Sequence, residues 1–168
     1  MDSYGGELNH LGLALSRKQL NQFSDYSSYL LECNKRVNLT SINNPEDVDI
    51  LHFVDSLTAC MAIGDKTKKN GRVLDIGTGA GFPGIPMKLV LPGIFLTLIE
   101  SSRKKADFLE NLLRVLNLSD VDVVNSRSED AARDFNLRES FDLVLCRGVA
   151  EMAVLVELSL PFLSIGGL

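Results

Sequence analysis

The architecture of this chain follows from residues 73–84, which run Val73-Leu74-Asp75-Ile76-Gly77-Thr78-Gly79-Ala80-Gly81-Phe82-Pro83-Gly84. A short hydrophobic strand carries a carboxylate near its end, alternating glycines follow, and residues 85–90 have the pattern of a helix. Glycines at alternate positions let the backbone turn sharply and let a ligand lie against it without Cβ collisions. Since ligands of open parallel sheets bind beyond the carboxyl ends of the strands, this turn is the predicted binding site.

The charge at this turn bears on which ligand it holds. Residues 79–84 match the dinucleotide fingerprint G-x-G-x-x-G, a pattern with little specificity by itself. Asp75 argues against a pyrophosphate, because two like charges about 4 Å apart repel by about 4 kcal/mol at an effective dielectric of about 20. The cationic ammonium and sulfonium groups of S-adenosylmethionine are compatible with Asp75, directly or through water. A turn that serves packing alone is the remaining alternative.

The pattern outside the turn divides the chain into two predicted regions, residues 1–64 and 65–168. The first is helical: a capping box at Ser16–Gln19 precedes one helix, and Asn44-Pro45 begins another. Residues 64–71 are polar and basic, and they form the predicted solvated loop between the regions. The second region alternates apolar strands at 72–76, 94–99, 121–124 and 141–146 with helices, which predicts an α/β fold with a parallel sheet covered on both faces.

The composition excludes several classes of protein. The 168 residues are 45% hydrophobic and 23% charged, which rules out wholesale disorder. The net charge of −5 argues against a surface that grips nucleic acid everywhere, although it allows a local basic patch. Three widely spaced cysteines predict a reducing cytoplasm rather than a disulfide scaffold, and two histidines are too few for most metal clusters. No apolar run reaches the ~18–20 residues of a membrane span, and the N-terminus lacks the features of a signal peptide.

Two more groups are candidates for a nucleotide-like cofactor. Glu100 ends the second strand, where nucleotide folds place an acid that accepts the ribose hydroxyls. Its alternative interpretation is an acid at a helix start, stabilised by the helix dipole and with Ser101 as the helix cap. Ser128 and Glu129 follow the third strand, where the adenine edge would lie. A simple helix cap at Ser126 or Ser128 is the alternative there.

Four elements together resemble the GidB (RsmG) family: Asn34-Lys35-Arg36-Val37-Asn38-Leu39-Thr40-Ser41, then His52-x-x-Asp55-Ser56, then the glycine turn extended to Ile85-Pro86, then Arg147 after the fourth strand. The resemblance covers about residues 16–168. It implies a class I (Rossmann-like) S-adenosylmethionine-dependent methyltransferase with an N-terminal helical extension. That family methylates N7 of one guanine in 16S small-subunit ribosomal RNA. Since the class I sheet has seven strands, its last three would lie beyond Leu168, and the exposed edge of the fourth strand predicts a possible homodimer.

The resemblance and the turn together predict the site. The predicted cofactor-binding residues are Asp75, Gly77, Gly79, Gly81, Phe82, Glu100, Ser101, Ser128, Glu129 and Arg147. The predicted substrate-positioning residues are His52, Arg127 and Arg147. A core histidine at position 52 and a structural ion pair at Arg147 are the alternatives. Further basic candidates for an RNA face are Lys35, Arg36, Lys88, Arg103, Lys104 and Lys105, and the last three fit a solvated helix face equally well.

The expected reaction explains why no general base or metal site stands out in the sequence. Guanine N7 carries an in-plane lone pair and no proton at neutral pH, so methyl transfer to it needs placement rather than proton removal. Cys146 raises the alternative of cytosine C5 chemistry through a cysteine nucleophile. Its position in a hydrophobic strand without a Pro-Cys motif favours a core thiol instead. Two other functions stay open: a methyltransferase with a small-molecule or protein substrate, and a non-enzymatic nucleotide-binding module.

Overall fold

The computed structural model describes residues 11–168, apart from the side chains of residues 65, 66 and 68. The predictions about the first ten residues lie outside the described part. Four strands form one parallel sheet in the order β3-β2-β1-β4, which confirms the predicted α/β fold. The strands are β1 Arg72–Ile76, β2 Phe95–Ile99, β3 Val121–Val124 and β4 Leu143–Cys146.

The register of the sheet brings the loops after three strands together. Ile76 at the end of β1 pairs with Ile99 at the end of β2 on one side and with Cys146 at the end of β4 on the other. Residues that are far apart in sequence, such as Gly77, Glu100 and Arg147, therefore leave the sheet side by side. This common edge is where a parallel sheet binds its ligands.

The first helix, α1, spans Arg17–Val37 and begins with the predicted capping box. The Ser16 N–H donates to Gln19 Oε1 at 2.8 Å, and the Gln19 N–H donates to Ser16 Oγ at 3.3 Å. The helix ends at Asn38, whose φ of +53° is a left-handed conformation that asparagine tolerates better than most residues.

The second helical segment, residues 45–61, departs from regular α-helix. It consists of α2 Pro45–Asp47, a π-helix at Val48–Val54, α3 Asp55–Thr58 and a 3₁₀ turn at Ala59–Met61. Asn44 caps it as predicted, accepting from the Glu46 N–H at 3.2 Å. A π-helix is rare and is often found at functional positions, and this one carries His52.

Two expectations about the remaining helices need correction. Residues 65–70 form a short helix, α4 Asp65–Asn70, rather than a loop. The helix after β2 starts one residue later than expected, because Ser102 and not Ser101 is its N-cap. The other helices are α5 Gly84–Val90, α6 Arg103–Val115, α7 Ser128–Ala131 and α8 Met152–Ser159, with a 3₁₀ turn at Leu160–Phe162.

The N-terminal helices and the sheet share one hydrophobic core. Phe23, Tyr26 and Leu30 of α1 belong to the same buried cluster as Val73 and Leu96 of the sheet. A smaller cluster on the other face contains Leu74, Ile76 and Phe141 with Phe162. The two predicted regions are therefore packed together, and their division at residue 64 stays a prediction.

The free edge of β4 is partly occupied. The Val144 N–H donates to the Leu168 carbonyl at 2.8 Å, and the Leu168 N–H donates to the Asp142 carbonyl at 3.1 Å. Beside it, α8 has no buried residue, and Met152, Val154 and Val156 are exposed. A homodimer through this edge stays a prediction. None of the described helices is long and apolar enough to cross a membrane.

Candidate functional site

The glycine turn after β1 is tied to the end of β2 by backbone hydrogen bonds. The Gly77 and Thr78 N–H groups both donate to the Ile99 carbonyl, at 2.9 and 3.2 Å. Gly77 has a φ of +65°, and a Cβ at this position would come within 2.7 Å of the Val149 side chain. The turn therefore requires glycine at its first position, both for its conformation and for the approach of the loop after β4.

The far end of the turn is anchored to α1 by Tyr26. The Tyr26 hydroxyl donates to the Ala80 carbonyl at 2.6 Å, and the ring stacks on Phe82 with 5.3 Å between centroids. Burial, followed by the charge of Asp75, raises the pKa of Tyr26 well above its usual value, so it stays a donor. Only the fold shows that the Tyr26 hydroxyl holds the glycine turn.

Asp75 lies beneath the turn and does not line its surface. The side chain is 0% exposed, and its Oδ2 accepts from Thr78 Oγ1 at 2.7 Å and from the Gly84 N–H at 2.8 Å. Its Oδ1 has no hydrogen-bond partner among the described residues. Burial raises the pKa of Asp75 to about 7, although both hydrogen bonds act in the opposite direction. The repulsion of a diphosphate by Asp75 is correspondingly weaker than the sequence argument assumes.

The buried Asp75 predicts a dependence of stability on pH. Its pKa is about 7 in the folded chain and about 3.9 in an unfolded one, so between these values the folded chain holds a proton that the unfolded chain has released. The Asp75 contribution to the free energy of unfolding therefore falls as pH rises from 4 to 7, by at most about 1.4 kcal/mol per pH unit. His52, whose pKa is lowered to about 4, acts in the opposite direction over the same range.

The comparison of wild type with Asp75→Asn isolates this contribution. Urea unfolding at pH 4.5, 6 and 7.5 is expected to show the wild type losing stability relative to Asp75→Asn as pH rises. A constant difference between the two proteins across this range would contradict the buried, proton-binding state of Asp75.

A cavity of ≈ 150 Å³ opens at the carboxyl ends of β1 and β2. Its lining includes four of the predicted cofactor-binding residues and one of the predicted substrate-positioning residues. Ser128 Oγ is buried in this wall without a hydrogen-bond partner among the described residues. Because a buried hydroxyl without a partner is unfavourable, Ser128 is a candidate for a hydrogen bond to a bound ligand. The lining residues are Ile76, Gly77, Ile99, Ser101, Ser126, Arg127, Ser128, Glu129, Val149 and Leu158.

Glu100 supports the turn with both of its carboxylate oxygens. Oε2 accepts from the Gly79 N–H at 3.0 Å, and Oε1 accepts from the Ser102 N–H at 2.7 Å, at the start of α6. The side chain is only 6% exposed. Glu100 is therefore an acid at the start of a helix, which was the alternative interpretation of the sequence. A contact with ribose would use the remaining lone pairs of the same two oxygens.

A second cluster of side chains joins the π-helix to the end of β4. Arg147 Nη1 donates to Asp55 Oδ2 at 2.6 Å, and Nη2 lies 3.1 Å from His52 Nδ1. The His52 ring stacks on Phe82 at 4.4 Å, and the guanidinium lies over the same Phe82 ring. Burial first and the Arg147 charge second lower the pKa of His52 to about 4, against the opposing effect of Asp55. The sequence analysis gave a structural ion pair as the alternative role of Arg147, and the structure contains such a pair with Asp55.

The comparisons with known proteins identify the family. Residues 19–168 match the family model described as GidB, rRNA small subunit methyltransferase G. The chain belongs to the GidB family. A Roseiflexus castenholzii protein named ribosomal RNA small subunit methyltransferase G is 47% identical over 93% of this chain and 65% of its own length. A Desulfitobacterium hafniense protein of the same name is 46% identical, over 94% of this chain and 64% of its own. The chain thus spans slightly less than two thirds of the length of these curated relatives.

Solved structures agree with the fold. A candidate S-adenosyl-L-methionine-dependent methyltransferase of Methanococcus maripaludis superposes with a TM-score of 0.59 at 16% identity, over 84% of this chain and 59% of its own. MtNAS, solved with MTA and tNA, superposes with a TM-score of 0.52 at 16% identity, over 78% of this chain and 46% of its own. These likenesses support the predicted Rossmann-like class of the GidB chain.

The GidB residues predicted from sequence separate into three groups in space. Gly77, Ser101, Ser128 and Glu129 line the cavity, together with Arg127. Asp75, Glu100, Gly79 and Gly81 form the support beneath and within the turn. Phe82, His52 and Arg147 form the cluster beside it, next to the N-terminal helices. The sequence analysis did not identify Val149 as a residue of the site, although its side chain lies against Gly77. Its only sequence signal is its position two residues after Arg147.

The structure of this GidB chain corrects one further sequence expectation and supports another. Lys88 is 2% exposed, and its Nζ donates to the carbonyls of Pro92 and Ile94, so it does not contribute to an RNA face. The Cys146 thiol lies 3.3 Å from Ser159 Oγ, and burial raises its pKa, which favours a packing thiol over a nucleophile. Among the described residues, no cluster of His, Cys, Asp or Glu has a metal-binding arrangement.

Proposed function

We propose that this chain binds S-adenosylmethionine at the carboxyl ends of β1 and β2 and methylates N7 of a guanine in 16S ribosomal RNA. The observation that carries the cofactor is the buried, unpartnered Ser128 Oγ in a cavity that collects Gly77, Ser101, Ser128 and Glu129. Membership of the GidB family supports the reaction and the ribosomal substrate. The reducing cytoplasm, predicted from cysteine usage, is the proposed compartment.

The residues present fit this cofactor. Ser128 and Glu129 offer a hydroxyl and a carboxylate where the adenine edge is expected, and Ser101 offers a hydroxyl on the ribose side. Gly77 leaves room for close approach, since its position carries no Cβ. Arg147, beside Gly77 at the end of β4, is the proposed partner of the methionine carboxylate. When bound, the cofactor supplies an electrophilic methyl group on its sulfonium.

The task of the chain is then to place the guanine rather than to activate it. Among the described residues that line the cavity, the ionisable side chains are Arg127 and Glu129, and both are exposed. Arg127 makes no side-chain hydrogen bond or ion pair to any described residue, so its guanidinium is available for a phosphate or a base of the RNA. Because guanine N7 has no proton to remove, the proposed reaction needs placement of the guanine and no general base.

Two measurements test the proposal. Isothermal titration calorimetry is expected to show heat with S-adenosylmethionine and S-adenosylhomocysteine and none with NADH. Incubation with methyl-labelled S-adenosylmethionine and unmethylated small ribosomal subunits is expected to yield labelled 7-methylguanosine in the 16S RNA. Binding of NADH alone would contradict the cofactor. Methyl transfer to a small metabolite but not to RNA would contradict the substrate.

Ser128→Ala is expected to preserve or raise the stability of the chain while it weakens cofactor binding. Without ligand, the free energy of unfolding is expected to stay the same or to rise by about 1 kcal/mol, because a buried hydroxyl without a partner is removed. The dissociation constant for S-adenosylhomocysteine is expected to increase about 3- to 10-fold, the usual worth of one hydrogen bond. Urea unfolding and calorimetry measure the two effects.

Ser140→Ala is the matched control, since Ser140 Oγ donates to the Leu137 carbonyl at 2.9 Å away from the cavity. It is expected to lower stability and to leave cofactor affinity unchanged. Equal affinity of Ser128→Ala and wild type would remove Ser128 from the proposed site.

A further inference from the structure

Both ring nitrogens of His52 are engaged inside the protein. Nε2 lies 2.8 Å from Thr40 Oγ1, and Nδ1 lies 3.1 Å from Arg147 Nη2. A guanidinium can only donate, so Nδ1 must accept, and the ring proton of the neutral imidazole must be on Nε2. The ring is therefore held in one tautomer, and its nitrogens are not free to meet a guanine.

Arg147 has unused donors after these contacts. Its Nη1 donates to Asp55 Oδ2 and to the Leu51 carbonyl, and its Nη2 makes the single bond to His52. A guanidinium has five N–H donors, so the Nε–H and one Nη2–H have no partner among the described residues. A carboxylate that accepts from Nε and Nη2 binds in the favourable bidentate geometry.

Two of the sequence elements that resemble this family converge on His52. Asn34 Oδ1 accepts from the Leu39 and Thr40 N–H groups at 2.6 and 3.0 Å, and its Nδ2 donates to the Thr40 carbonyl. This shapes the turn after α1, so that the Thr40 hydroxyl meets the His52 ring. A continuous chain of hydrogen bonds thus runs from Asn34 through Thr40 and His52 to Arg147.

We propose that His52 is a positioning residue: its unprotonated Nδ1, together with the Asp55 carboxylate, orients the Arg147 guanidinium so that the Nε and Nη2 donors remain for the carboxylate of the bound cofactor. The inference rests on the proposed function for the identity of that carboxylate. It assigns His52 to the organisation of the cofactor site and leaves base contact to other residues. The stacking of His52 on Phe82 and the position of the guanidinium over the same ring fix the two groups against one surface.

Two substitutions distinguish the role of the Nδ1 acceptor of His52 from the role of its imidazole ring. The oxygen of an asparagine amide is attached at the same distance from the backbone as Nδ1, whereas the amide of glutamine corresponds in reach to Nε2. His52→Asn therefore keeps an acceptor for Arg147, and His52→Gln keeps the contact with Thr40. Calorimetry with S-adenosylhomocysteine is expected to show a dissociation constant within about threefold of wild type for His52→Asn and at least about tenfold weaker for His52→Gln.

The two variants are compared after urea unfolding has shown that both are folded. A similar loss of affinity in both would overturn the inference, since it would mean that the ring itself matters and the acceptor does not. Unchanged affinity in His52→Gln would overturn it as well.

A measurement without cofactor keeps this inference separate from the proposed function. Nitrogen-15 chemical shifts of His52 are expected to show the Nε2–H tautomer in the wild type and a pKa that moves up towards the usual value in Arg147→Ala. A proton on Nδ1 in the wild type would overturn the inference, whether or not the chain binds S-adenosylhomocysteine. A wild type that shows this tautomer but binds neither S-adenosylmethionine nor S-adenosylhomocysteine would contradict the proposed function alone.

Discussion

Gly81→Ala is expected to lower the free energy of unfolding by about 3–5 kcal/mol, the sum of a strained conformation and an overpacked contact. Gly81 has a φ of +101°, which L side chains rarely adopt. A Cβ there would lie 2.6 Å from both Ile85 Cδ1 and the Tyr26 hydroxyl. The hydroxyl cannot retreat without losing its hydrogen bond to Ala80, so the turn and α1 would have to separate.

Gly79→Ala is the matched control for this substitution. Gly79 has a φ of +61°, and a Cβ there would meet nothing nearer than the Gly77 carbonyl at 3.9 Å. Only the left-handed conformation is then penalised, by about 1–2 kcal/mol. Urea unfolding followed by circular dichroism measures both values, and equal losses in the two variants would contradict the contact between the turn and Tyr26.

Glu100→Gln is expected to have the largest effect on the cofactor site. The free energy of unfolding should fall by about 1–3 kcal/mol, because an amide offers one acceptor to two backbone N–H groups and turns a donor towards the other. The Gly79 and Ser102 N–H groups are those two donors. The dissociation constant for S-adenosylhomocysteine should increase about 10- to 100-fold, since the turn is loosened and the charge at the proposed ribose position is lost.

Glu129→Gln is the control for the stability measurement on Glu100→Gln, because Glu129 is exposed and its substitution is expected to leave the free energy of unfolding unchanged. The two measurements on Glu100→Gln also separate its roles. A loss of stability without a loss of affinity would leave Glu100 as a support of the turn only. It would refute the contact with the ribose.

The sequence alone determined the order of elements and the place of the site. Alternating glycines after an apolar strand, and capping residues such as Ser16 and Asn44, act through local backbone preferences, which are encoded within a few residues. The common edge where Gly77, Ser101 and Ser128 meet follows from parallel strand order, which the alternation of strands and helices predicts. The motifs that resemble the GidB family indicated the family because their combination is specific, although no single motif among them is.

The tertiary structure decided where the carboxylates and the arginine point. Asp75 and Glu100 were expected to face a ligand, yet each accepts hydrogen bonds from backbone N–H groups of the turn or the next helix. The Gly79 N–H reaches Glu100 only when β1 and β2 are paired. A buried acid accepts such hydrogen bonds because burying it without a partner is more costly. Arg147 likewise finds Asp55 and His52 only through packing that joins residues 92 and 95 positions apart. Local patterns cannot encode such long-range competition for donors and charges, so side-chain orientation emerged only with the fold.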